Sequence, residues 1–187
     1  MNTFKRALLG LSLSLGLVAH AGATTVDLTA DGQWHTFDVD SFSSLSGGLE
    51  WIDYTDGSVL SFRINNSAPV LLTVADGGFA GDIFLVKDGN VSLGSTSAAV
   101  NNYPVSIGLD FDSALSNPLY SKGSFVLAPG SHLITGVLTT SALSDFGALD
   151  ATVGGVMLQA VPEPAEWATL AAGLFLLSVT AQRSRRK

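Results

Sequence analysis

Leu60-Ser61-Phe62-Arg63-Ile64, and shortly after it Val70-Leu71-Leu72-Thr73-Val74 running into Asp76-Gly77-Gly78, decide the fold. In the first stretch the apolar side chains alternate with Ser61 and Arg63. Val70, Leu72 and Val74 repeat that period of two. Successive side chains of an extended chain point to opposite faces, so this pattern predicts strands with one face in a core. Ile83 to Val86 is continuously apolar and predicts a central strand buried on both faces. Turn signals recur at Asp31-Gly32, Gly47-Gly48, Asp56-Gly57, Asp88-Gly89 and Pro129-Gly130. Lys87-Asp88-Gly89-Asn90 reads as a tight hairpin. Ser124 to Ala128, Pro129-Gly130 and His132 to Thr140 read as a second, with a type II turn. Ala99 to Pro104 reads as a loop, and no stretch of the body carries a convincing 3.6-residue period. Many short strands with glycine-rich turns predict an all-β, antiparallel β-sandwich of jelly-roll type over residues 24–160.

Charge is distributed unevenly around this body. From Thr24 to Val161, Arg63, Lys87 and Lys122 face fourteen carboxylates, a net of −11. Such a surface repels phosphates and excludes nucleic acid as a partner. The chain has no cysteine, which excludes disulfides, thiolate metal sites and a cysteine nucleophile.

Both ends read as addresses. Residues 1–23 have the parts of a secretory signal peptide: Lys5 and Arg6, an apolar stretch from Ala7 to Ala19, and small residues at Ala21-Gly22-Ala23. Ala19-His20-Ala21 competes as the cleavage site, and an N-terminal membrane anchor is the alternative reading. At the other end, residues 167–181 form an uncharged run before Arg183, Arg185, Arg186 and Lys187. At ~1.5 Å per residue a helix of this run spans roughly 22 Å, short of the ~30 Å hydrocarbon core. Snorkelling of Arg183 and an interfacial Trp167 extend it. The positive-inside rule places the basic tail in the cytoplasm and the acidic body outside. A buried C-terminal helix is the alternative, although that helix would be apolar all round.

Val161-Pro162-Glu163-Pro164, the apolar run and the tail Arg183-Ser184-Arg185-Arg186-Lys187 together resemble the PEP-CTERM sorting signal over residues 161–187. That resemblance implies a protein exported by Sec-type machinery of a Gram-negative bacterium. It implies recognition at Pro162, Glu163 and Pro164 by an exosortase-like membrane enzyme, after an inner-membrane intermediate. The implied destination is the cell surface or an exopolysaccharide matrix, with a structural or adhesive role in a biofilm. The body loosely resembles pre-peptidase C-terminal-type domains through Gly81-Asp82-Ile83-Phe84-Leu85-Val86, Gly94-Ser95-Thr96-Ser97 and Tyr120-Ser121-Lys122-Gly123. This implies a fold and no functional residue.

The residues available for chemistry are few. There is no Gly-x-Ser-x-Gly elbow, and the body keeps only His35 and His132, so a non-enzymatic protein is expected. A histidine pair without His-Glu-x-x-His makes a poor zinc site. His35 is expected on the polar side of its strand, opposite Trp34, and His132 at an exposed edge. Calcium, which takes carboxylate and carbonyl oxygens, has candidates in Asp76, Asp82, Asp110 and Asp112, with Asp38 and Asp40 as a second pair. Asp110 and Asp112 would share one face if their segment were a strand. Turn-capping is the alternative role for these aspartates. Paired carboxylates could also serve a glycosidase, the hydrolase alternative, but nothing in the sequence separates an acid from a nucleophile. A carbohydrate-binding module is the other alternative, supplied by Trp34, Trp51, Tyr54, Phe79, Tyr103 and Tyr120. Of these, Tyr103 and Tyr120 lie near turns and are expected to be exposed, while Trp51 is expected in the core.

Overall fold

The computed structural model describes residues 22–161. The signal segment before residue 22, the sorting motif Pro162-Glu163-Pro164, the apolar run 167–181 and the basic tail lie outside the described residues. Among the described residues, eleven strands and one short helix follow in chain order. Five of the strands form one sheet: β1 (Ala23–Leu28), β3 (Val59–Asn66), β8 (Gly130–Thr140), β5 (Ile83–Asp88) and β6 (Val91–Ser95), in that spatial order. A second sheet runs β2 (Asp31–Asp40), β11 (Ala151–Ala160), β4 (Val70–Asp76) and β7 (Lys122–Leu127). A small hairpin, β9 (Leu143–Ser144) with β10 (Gly147–Ala148), precedes β11.

The two sheets enclose one apolar core. Leu60, Phe62 and Ile64 from β3 and Phe84 and Val86 from β5 meet Phe37 and Val39 from β2, Leu72 and Val74 from β4, and Val156 and Leu158 from β11. Every core residue expected from the alternation is buried, so the strand phase holds. Each such side chain removed from water contributes about 1.5–3 kcal/mol. The segment around Trp51 closes the sandwich. Its amide donates to the Gly136 carbonyl of β8, while the Ile52 amide donates to Asp38 of β2, so one short segment bonds to both sheets. The Trp51 ring stacks on Phe37 at 4.0 Å between centroids and 19° between planes.

Four expectations are corrected. First, the fold is antiparallel-rich but not wholly antiparallel, because β1 pairs with β3 in parallel, Ala23 opposite Val59 through Leu28 opposite Ile64. Second, Pro129-Gly130 joins no hairpin. It carries the chain from β7 in one sheet to β8 in the other, since β7 pairs with β4 and β8 with β3 and β5. Turn residues specify a change of direction, not the partner of the next strand. Third, the strand buried on both faces is β4, not the apolar run of β5. Ile83 and Leu85 are only half-buried, one strand from the sheet edge. On β4, Thr73 and Ala75 are buried as well as Leu72 and Val74. Fourth, a one-turn helix, α1 (Phe111–Ser116), covers that outer face with Phe111 and Ala114, joined by Tyr120 from beyond the helix, in a cluster with Ala75. At six residues it is too short to show an amphipathic period. The Lys87-Asp88-Gly89-Asn90 hairpin is as expected, with Asp88 opposite Val91 and Gly89 at φ 55° in the tight turn.

Candidate functional site

Two neighbouring places at one end of the sandwich gather polar chemistry, and both depend on the loop Gly77–Gly81 between β4 and β5. The first is a groove of about 340 Å³ on the outer side of β2 and β11, lined by Asp38, Asp40, Tyr54, Phe79 and Thr152 among others. A second recess, about 220 Å³, is lined by Asp53 and shares Asp38 and Tyr54 with the first. Asp38 and Asp40 are outward on β2 because Phe37 and Val39 occupy the core face. Partial burial, then the charges of Asp53 and Asp40, push the Asp38 carboxyl up to about 6. Asp40 is held below the usual carboxylate range by the Ser43 hydroxyl, with help from backbone amides. Both of its oxygens are engaged: the Phe42 amide donates to one at 2.9 Å and the Ser43 hydroxyl to the other at 2.6 Å. Asp40 therefore caps the turn after β2, the role the sequence offered as the alternative. Tyr54 is 68% exposed, and the Phe79 ring packs on Tyr103 at 5.0 Å.

The second place lies beneath that loop. Asp76 ends β4 and Asp82 precedes β5, and both side chains are buried, at 0% and 1% exposure. One oxygen of each is anchored by backbone: the Asp82 amide donates to Asp76 Oδ2 at 3.4 Å, and the Ala142 amide to Asp82 Oδ1 at 2.7 Å. The remaining oxygens, Asp76 Oδ1 and Asp82 Oδ2, accept no hydrogen bond of ordinary geometry, although the Thr152 hydroxyl lies near Asp82. A buried acceptor without a partner costs about 1–3 kcal/mol, more if charged. Burial, reinforced by the Asp82 charge, raises the Asp76 carboxyl far above its usual range, against the amides of Asp82, Gly81 and Gly77. Burial also raises Asp82, opposed by the Thr152 hydroxyl, the Ala142 amide and the neighbouring Asp76 carboxyl, and assisted by the charge of Asp150. Two adjoining carboxylates cannot both stay ionised here without a compensating positive species.

The other sequence candidates are placed differently. Asp110 and Asp112 do not share a strand face. Asp110 caps α1, accepting from the Ser113 amide at 3.1 Å and its hydroxyl at 2.8 Å, and that hydroxyl is the main cause of its lowered pKa. Asp112 lies in the first turn and accepts from Trp34 Nε1 at 2.9 Å. Tyr120 is buried rather than exposed, its hydroxyl donating to the Gly78 carbonyl at 3.1 Å. It holds the loop from below and offers no ring to a sugar. Tyr103 is 38% exposed and remains available beside Phe79.

Trp34 lies on the outer face of β2 in the cluster of α1, 5.2 Å from the Phe111 ring. His35 therefore shares the phase of Phe37, and its Nε2 is buried without a partner. His132 has Nδ1 2.7 Å from Asp88 Oδ2 and Nε2 2.9 Å from the Ala128 carbonyl. Both partners are acceptors, so the surroundings favour the doubly protonated ring. The Asp88 hydrogen bond is the main cause of its raised pKa. Sequence reasoning had the aspartates of the buried pair but no signal for their burial, which arises from docking of the Gly77–Gly81 loop against Tyr120 and Gly108.

The fold defines a β-sandwich protein. Among solved structures it is similar to the pre-peptidase C-terminal domain of a collagenase from Bacillus anthracis, over 75% of this chain and 97% of that one, with a TM-score of 0.38 and 8% identity. No protein-family model matches the chain, and no curated protein matches it.

Proposed function

We propose that this chain is an exported β-sandwich protein, sorted through Pro162-Glu163-Pro164 and delivered to the cell surface or extracellular matrix. Its role there is structural or adhesive, in association with exopolysaccharide, and it is not catalytic. Export by Sec-type machinery through residues 1–23, a transient inner-membrane intermediate held by residues 167–181, and processing by an exosortase-like enzyme belong to the same reading. One observation carries it: the last strand among the described residues ends at Ala160, two residues before Pro162. β11 is an inner strand flanked by β2 and β4, and every strand of the two sheets among the described residues lies before Val161. Prolines on both sides of Glu163 keep that segment extended and open to an enzyme.

Terminal mass determination of the protein recovered from the cell surface tests this. The expected C-terminus lies near Pro162-Glu163-Pro164, and Glu163→Ala is expected to retain the protein in the membrane. A surface form that still ends at Lys187 overturns the reading. At the other end, the expected signal peptide, residues 1–23, overlaps β1 by a single residue, since Ala23 pairs with Val59.

A second reading, a carbohydrate-binding module, is favoured by the groove that sets exposed Tyr54 and the Phe79–Tyr103 pair beside Asp38. Aromatic faces take sugar rings, and a carboxylate takes hydroxyls. Retention of the protein on isolated exopolysaccharide, lost in Tyr54→Ala, would support this reading. Equal mobility with and without the polymer would remove it.

A further inference from the structure

We propose that Asp76 and Asp82 bind one calcium ion, which locks the Gly77–Gly81 loop onto the end of the sandwich. Three observations converge on this pair. Both carboxylates are fully buried, unlike the exposed Asp110 and Asp112. Each is fixed on one oxygen by backbone amides and is bare on the other. The groups near them, Thr152 and Asp150, add oxygen and negative charge rather than a cation. A divalent ion satisfies both bare oxygens at once and cancels the charge that burial makes costly.

Oxygen ligands select a hard cation, and calcium completes its shell of about six to eight oxygens from backbone carbonyls and water. Magnesium holds its own waters more tightly and suits a fully enclosed site less well. The loop so fixed carries Phe79, whose ring packs on Tyr103 and lines the groove with Asp38 and Tyr54. The cation thereby sets the position of the only aromatic residue of the loop.

The rival occupant is a proton shared by the two carboxylates, and the two are separable. Thermal unfolding of the purified full chain is followed at pH 7 in EDTA, in magnesium chloride and in about 5 mM calcium chloride, a concentration that exceeds the dissociation constants of extracellular calcium modules. Calcium binding to the folded state alone is expected to raise the melting temperature by roughly 3–8 °C over EDTA. Titration calorimetry is expected to show one calcium per chain, and hydrogen exchange at residues 77–82 to slow on binding. Asp82→Asn should abolish the calcium response and Asp110→Asn should keep it. Identical melting of the wild-type chain in EDTA and calcium overturns the proposal in favour of the shared proton. A calcium response that survives in Asp82→Asn also overturns it, by placing the ion elsewhere. The wild-type titration stands whether or not the Asp82 variant folds.

Discussion

Gly136→Ala adds a single methyl group to the middle of β8, at the spot where the Trp51 indole lies flat against the backbone. A Cβ built there would fall 2.6 Å from Trp51 Nε1 and closer still to two ring carbons, inside the 3.0 Å that real Cβ atoms keep. The indole cannot simply swing away. It is fully buried, stacked on Phe37, and edge-on to Phe62 and Phe84. Phe37 is pinned in turn, since its ring lies over Gly154 of β11. Overpacking of a tight core costs about 1–3 kcal/mol, and alanine recovers some backbone entropy relative to glycine. The strain falls on a stack touching both sheets, so the upper half of that range applies, about 2–3 kcal/mol. For a domain of this size that lowers the melting temperature by roughly 6–12 °C. Thermal unfolding followed by near-ultraviolet circular dichroism reads both the stability and the tryptophan packing. In a Trp51→Leu background the same methyl group should cost less than half as much, because its obstacle is gone. A Gly136→Ala protein that melts with the wild type, or equal costs in the two backgrounds, would refute the reasoning.

Phe62→Ala empties a site that is 1% exposed and packed edge-on to Trp51, and should cost about 3–5 kcal/mol in denaturant unfolding. Asp38 is an acid whose folded pKa, about 6, lies above its unfolded value, so its contribution to stability falls as pH rises from about 4 to 6 and then levels. Asp38→Asn should therefore be more stable than wild type at pH 7.5 and indistinguishable near pH 3.5, which a series of melting curves checks. His132 has the opposite sign of linkage: its raised pKa makes the Asp88 pairing fully stabilising below about pH 6.5 and progressively lost above it. His132→Asn should lower stability at pH 6 by more than at pH 9.

Much of the architecture was legible in residues such as Leu60, Phe62, Ile64, Leu72 and Val74, because the period of two is a local property of extended chain. It states which side chains turn inward without any knowledge of the partner strand. The tight Gly89 turn was legible for the same reason, since its strands are adjacent in sequence. Partners were not. Pro129-Gly130 has the composition of a hairpin, yet β7 and β8 lie in opposite sheets, because pairing is decided by the total of long-range contacts each strand can make. The parallel pairing of β1 with β3 is of the same kind. Thr73 and Ala75 gave no sign that their face would be covered, for the cover is a one-turn helix some 36 residues further on. The candidate site divides in the same way. Sequence alone supplied the aspartates and the aromatic residues as an inventory. Tertiary structure assigned their roles, making Asp110 a helix cap and Tyr120 a buried support. It also enclosed Asp76 and Asp82 with two oxygens unpartnered, because burial depends on what docks over a residue and not on its neighbours along the chain.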